Sequence, residues 1–188
     1  MLHSIGEYGK FVEITGFKNV KFSQAEVFLK THRKIATSTL DLQFFDADLI
    51  ATASHLEFAV LNALQAFQNC TNISKSLAIE TMLYASALRQ IQKAIGRCGI
   101  KPQTSRMAAI ILGNNSGEIQ TLLGEVCKCV GSEPDETVLE LSEDKLRKIK
   151  EVFKIEEEEI EAVMNGENRD GAVVGLVIER MALLATQL

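Results

Sequence analysis

Apolar positions along the chain recur with two periods, and the changes from one to the other mark out its elements. Between Glu7 and Phe17, the residues Phe11, Val12, Ile14 and Phe17 stand among polar neighbours and run into Thr15-Gly16, which predicts a strand and a turn. Ser23-Gln24-Ala25-Glu26 has capping-box spacing. Ala25, Phe28, Leu29 and His32 continue at helical intervals, predicting a short helix that ends between Arg33 and Ala36. Thr39 to Phe44 alternates with period two, as a half-buried strand does. Asp46 or Asp48 is placed to cap a long helix in which Leu49, Ile50, Ala53, Leu56, Val60, Leu61, Leu64 and Phe67 recur as far as Gln68. Asn69 to Asn72 breaks the pattern.

Ser74 stands where it would cap the next helix, which the pattern carries to Cys98, with Gly99 and Pro102 as stop signals. Met107 to Leu112 is a short apolar run that reads as a buried strand. Asn115 and Glu118 again have capping-box spacing, opening a helix that closes near Gly131. Gly131 to Leu141 holds Pro134 and several acids and reads as a loop. Next come a helix from Leu141-Ser142 through Phe153 and a short acidic one from Glu156 to Met164. After Asn165-Gly166-Glu167-Asn168, an unusually apolar helix runs from Gly171 to Leu188. No internal repeat interrupts this order. Strands alternating with helix pairs predict one α+β domain over residues 1–188, helix-rich, with a small mixed β-sheet.

Composition sharpens this outline. A chain of 188 residues with 46% hydrophobic content is long enough to close one sizeable core. It has no run of about eighteen uncharged apolar residues and no basic segment followed by an apolar one near Met1, so a soluble, unexported, cytoplasmic protein without membrane contact is expected. Cys70, Cys98, Cys127 and Cys129 form no CxxC pair, which suits reduced thiols. A zinc site is the alternative, but Cys127-Lys128-Cys129 is a single tight pair, and only His3, His32 and His55 supply imidazole. No metal and no cofactor is expected. The net charge of −5 is unevenly spread. Lys75, Arg89, Lys93, Arg97, Lys101 and Arg106 face a single acid, Glu80, between residues 75 and 106, whereas twelve acids oppose five bases between Glu133 and Glu161. A local positive field of this kind can bind RNA on an acidic chain.

On one continuous helix from Ser74 to Cys98, Leu77, Tyr84, Leu88, Ile91 and Ile95 gather on one side, and Lys75, Arg89, Lys93 and Arg97 on the other. The basic side is either a solvated face or a phosphate track. Cations at i, i+4 and i+8 repel one another, and Ser86 and Gln90 border them with groups suited to sugars or base edges. The run Asn72-Ile73-Ser74, Glu80, Leu83-Tyr84-Ala85-Ser86, Arg89-Gln90-Ile91 and Ala94-Ile95 resembles the signature helix of the kinase-binding small subunit of the KEOPS complex, the p53-related-protein-kinase-binding protein family. His55-Leu56, Ala59, Ala63-Leu64 and Ala66-Phe67 are similar to the helix that precedes it there. The likeness is good from Ala47 to Leu112, and departs where that family often has glycine after the serine and this chain has Ala87. The resemblance implies a small α+β subunit that is no enzyme, binds and stimulates a RIO-like kinase or ATPase, and helps hold tRNA by its CCA end for threonylcarbamoyl-adenosine formation. It implies tRNA contacts at Lys75, Ser86, Arg89, Gln90, Lys93 and Arg97.

The final helix, from Ala172 through Leu184, is apolar nearly all round, which means either complete burial or one face kept for another protein. The resemblance implies that a kinase contact lies there, at Val174, Val177, Ile178 and Met181, with Glu179 and Arg180 on a polar rim. The common phosphate-cradle and catalytic motifs are missing. Asn114-Asn115-Ser116-Gly117 reads as a capped loop, the run Glu156 to Glu159 as a solvated face, and His55 as a structural histidine. Two other functions stay open: a purely protein-binding regulator whose basic face is incidental, and a small nucleotide- or acyl-handling enzyme at the Asn114 loop.

Overall fold

Met107 to Leu112 offers no polar position to either side, because it is the strand that other strands flank and helices cover on both faces. The computed structural model describes residues 1–32, 39–164 and 169–186, without the side chain of Ala185. Along these the order is β1 (Leu2–Ile5), β2 (Lys10–Phe17), α1 (Phe22–His32), β3 (Asp41–Asp46), α2 (Ala53–Gln68), α3 (Leu77–Ala85), α4 (Ile91–Cys98), β4 (Met107–Gly113), α5 (Ser116–Val130), α6 (Glu143–Phe153), α7 (Glu157–Val163) and α8 (Arg169–Thr186). Short 3-10 turns span Gly6–Tyr8, Ala47–Leu49 and Glu136–Leu139. The expected end of α1 at Arg33 to Ala36 and the break at Asn165 to Asn168 lie outside the described residues.

The α+β class holds, but the sheet is antiparallel throughout and not mixed. Its order is β1-β2-β4-β3, with Ile14 and Gln43 opposite Ile110 from either side. Side chains alternate between two cores. Val12, Ile14, Phe45, Ala108, Ile110 and Leu112 join the core of α2, α3, α6 and α8, while Phe17, Leu42, Phe44, Ala109 and Ile111 meet α1 and α5. Each such fully buried large side chain contributes roughly 1.5–3 kcal/mol. The sandwich corrects the reading of Thr39 to Phe44 as half-buried: β3 starts two residues later, and Leu42 to Phe45 are all buried.

Gly16 also changes role. It lies inside β2 opposite Ala108, and a Cβ there would stand 2.6 Å from the Val138 Cβ and 2.7 Å from the Asp135 carbonyl oxygen. The glycine admits the segment 135–139, whose Asp135 N–H donates to the Gly16 carbonyl at 2.8 Å. The starts of α5, α6 and α7 fall on their signals, whereas Ser23 lies inside α1 and does not cap it. Asn115 accepts from the Gly117 and Glu118 N–H groups, and Ser142 from Lys145 N–H. Asp46 caps only the 3-10 turn, so Thr52 caps a shorter α2 than expected.

Candidate functional site

The helix expected from Ser74 to Cys98 is two helices. Ser76, not Ser74, caps α3, taking the Ile79 N–H. At the other end Leu88 N–H donates to the Leu83 carbonyl at 3.1 Å and Ala87 N–H to that of Tyr84 at 2.8 Å, with Ala87 left-handed at φ 51°. This is a Schellman ending, with alanine in the place that glycine usually takes. Backbone hydrogen bonds close the turn there, and α4 restarts at Ile91 with Gln90 as its N-cap residue.

The break takes apart the single basic face. Lys75, Gln90 and Lys93 are exposed and Arg89 is half-buried, but Lys75 precedes α3 and Arg89 lies between the helices. Ser86 is fully buried, and its hydroxyl donates to the Leu83 carbonyl at 3.0 Å, so it presents nothing to a sugar or base edge. Arg97 donates from Nη1 to the Ser86 carbonyl at 2.9 Å and stacks over Phe153 with 5.8 Å to the ring centroid. On α4 the residues facing inward are Ala94 and Cys98, while Ile91 is 37% exposed. Glu80 does not offset surface cations: it is 1% exposed, and its carboxylate accepts the N–H groups of Ile73 and Ser74, the latter at 2.7 Å.

Under α3 lies His55, as a structural histidine. The ring is fully buried, its Nδ1 accepts the Ala51 N–H at 3.1 Å, and so Nε2 carries the proton donated to the Ala85 carbonyl at 2.8 Å. Burial pushes the imidazole down to about 4, the Ala85 bond opposing and Lys145 assisting. Phe153 meets it edge-on at 5.7 Å. Beside it Cys98 points its thiol at the same Ala85 carbonyl, and burial pushes that thiol up to about 12, which leaves it unreactive.

The outer helix α8 divides the residues proposed for partner contact. Val177 and Met181 are fully buried in the core with Val173 and Leu184, so they are fold residues and offer no surface. Val174 and Ile178 are half-buried at its edge, next to exposed Gly175, Glu179 and Ala182 and to Leu183, which is 49% exposed. Arg180 belongs to the fold as well: it donates to the Phe153 carbonyl at 2.9 Å and the Lys154 carbonyl at 3.1 Å and pairs with Glu159 at 2.9 Å, tying α8 to α6 and α7.

Elsewhere the chemistry is engaged in holding elements together. Glu156 and Glu159 form a capping box on α7, and Glu157 pairs with Lys150 and Arg169. Lys145, missed as a buried residue because lysine marks surfaces, is 0% exposed and donates to the carbonyls of Val138 at 3.1 Å and Glu140 at 3.2 Å. Burial, with Arg106 adding to it and Asp48 opposing, pushes its ammonium down to about 8. The four cysteines are free thiols, and no group of three metal-ligating side chains stands together among the described residues.

A family model described as "Kinase binding protein CGI-121" matches residues 17–185. The chain is also similar to a protein of Methanocaldococcus jannaschii named "Regulatory protein Cgi121", at 30% identity over 155 residues, covering 82% of this chain and 90% of that one.

Proposed function

Because the chain belongs to the CGI-121 family of kinase-binding proteins, we propose that it is the non-catalytic regulatory subunit of a cytoplasmic KEOPS assembly, docking a RIO-like kinase or ATPase on the outer face of α8 and steering tRNA to it. The observation that carries this reading is the strip of Val174, Ile178, Ala182 and Leu183, apolar side chains left at the surface of a helix whose other side is already in the core. No helix among the described residues is long and apolar enough to cross a membrane, so an exposed apolar strip on α8 suits a protein partner. Val174 and Ile178 anchor the contact and Glu179 rims it. In a pull-down, Ile178→Arg removes the kinase while the thermal melt stays cooperative. Retained binding with an intact melt refutes the docking face.

For tRNA, the residues that remain at or near the surface are Lys75, Arg89, Gln90 and Lys93, with Arg97 mainly bound to Ser86 and Phe153. Charge reversal at Arg89 and Lys93 together should weaken tRNA binding and flatten its salt dependence, because phosphate contacts release counterions. The separation of α3 from α4 favours a second reading, a protein-binding regulator without RNA contact. A filter-binding assay decides between them: unchanged affinity and salt slope in the double variant leave only the second.

A further inference from the structure

Between the first turn of α2, strand β1 and the segment 136–140 lies a cleft of about 510 Å³ that the proposed kinase and tRNA surfaces do not use. Its volume is that of a small-ligand site. Ile14 and Leu139 give it an apolar floor, and Glu57, Glu136 and Glu140 put three carboxylates on its rim. The rim does not hang on a loose loop. Lys145 grips the Val138 and Glu140 carbonyls from below, and Asp135 is bonded to Gly16 where only glycine leaves room.

At one end of the cleft the Met1 backbone nitrogen lies 2.7 Å from Glu13 Oε1 and 3.3 Å from Glu136 Oε1, and the Glu13 side chain is only 7% exposed. His3 Nε2, also in its lining, stands 3.1 Å from Glu57 Oε1. The Glu140 carboxylate has no ion-pair partner among the described residues. Negative charge in excess over an apolar floor complements a cation on a greasy stem, which gains from burying its methylenes while the charged head stays at the wet rim.

We propose that this cleft binds a primary aliphatic ammonium on a methylene stem, the stem lying on Ile14 and Leu139 and the cation at the Glu57 and Glu140 carboxylates. The same chemistry comes from two sources, a free alkyl diamine or polyamine and a lysine side chain of a partner protein.

The test is an NMR titration of the isotope-labelled full chain with 1,5-diaminopentane, with N-acetyl-lysine methylamide and with the uncharged 1,5-pentanediol. The two amines should give saturable shifts at the amides of 52–57 and 136–140 that weaken with salt, and the diol none. Tighter binding of the diamine assigns the site to free amines, and tighter binding of the lysine mimic assigns it to a partner's side chain. Glu57→Gln with Glu140→Gln should weaken amine binding roughly tenfold, with the melt little changed because Glu140 has no ion pair among the described residues and the Glu57 contact with His3 is partly exposed. No saturation by either amine, equal binding of the diol, or full affinity in the double variant overturns the proposal.

Discussion

The imidazole of His55 sits where water does not reach, between the N–H of Ala51 and the carbonyl of Ala85. Only the neutral ring satisfies both, because a second ring proton would face the Ala51 donor. The folded-state value of about 4 lies below the 6.5 of an unfolded histidine, so the unfolded chain binds more protons between those two values. Stability is therefore fully present above pH 6.5 and falls as pH drops toward 4, by about 3 kcal/mol from this group. Chemical denaturation followed across that range should show a steeper fall in the natural chain than in His55→Gln, whatever the variant's stability at pH 7. A fall of equal size in both removes the assignment. The sequence made His55 legible as structural through its apolar helix face. It held no hint of Glu80 or Lys145, because the backbone groups that satisfy those charges come from Ile73, Ser74, Val138 and Glu140, and only folding brings them into range.

Helix ends show where local signals run out. α2, α3 and α6 each finish with a left-handed residue that is not glycine: Cys70 at 55°, Ala87 at 51° and Lys154 at 53°. The first and third are readable in the sequence, since polar residues come directly after α2 and the apolar period stops after Phe153. At Ala87 apolar positions continue at helical spacing on both sides, and a turn within that pattern has no signature without glycine. The cost of a side chain in this conformation is about 1 kcal/mol. Ala87→Gly should accordingly raise the unfolding free energy by about that amount, read from denaturant melts, since the native conformation there already suits glycine. A loss of stability shows instead that Ala87, half-buried against the core, contributes more by packing than its backbone costs. The start signals at Asn115 and Ser142 were reliable because the side chain that makes the bond is itself in the sequence.

Across the molecule, the two proposed partner surfaces share one support. Arg97 of α4 stacks on the Phe153 ring, and Arg180 of α8 binds the Phe153 carbonyl, so the C-terminal end of α6 sits between the helix that carries Lys93 and the helix that carries Ile178. Ile178→Arg is informative for this reason: the residue lies at the core's edge, and loss of kinase with an intact melt separates docking from folding in a way that Val177 or Met181, fully buried, cannot. By itself the sequence determined the α+β class, the buried strand β4, the starts of α5, α6 and α7 and the kinase-binding family, because each rests on neighbours a few residues apart or on a stretch of matched residues. Tertiary structure alone decided the antiparallel sheet, the division of 74–98 into two helices, and which side of α8 faces out. Each depends on pairings or packing between segments far apart in the chain, and an apolar residue reads the same in the sequence whether it meets a core or a partner.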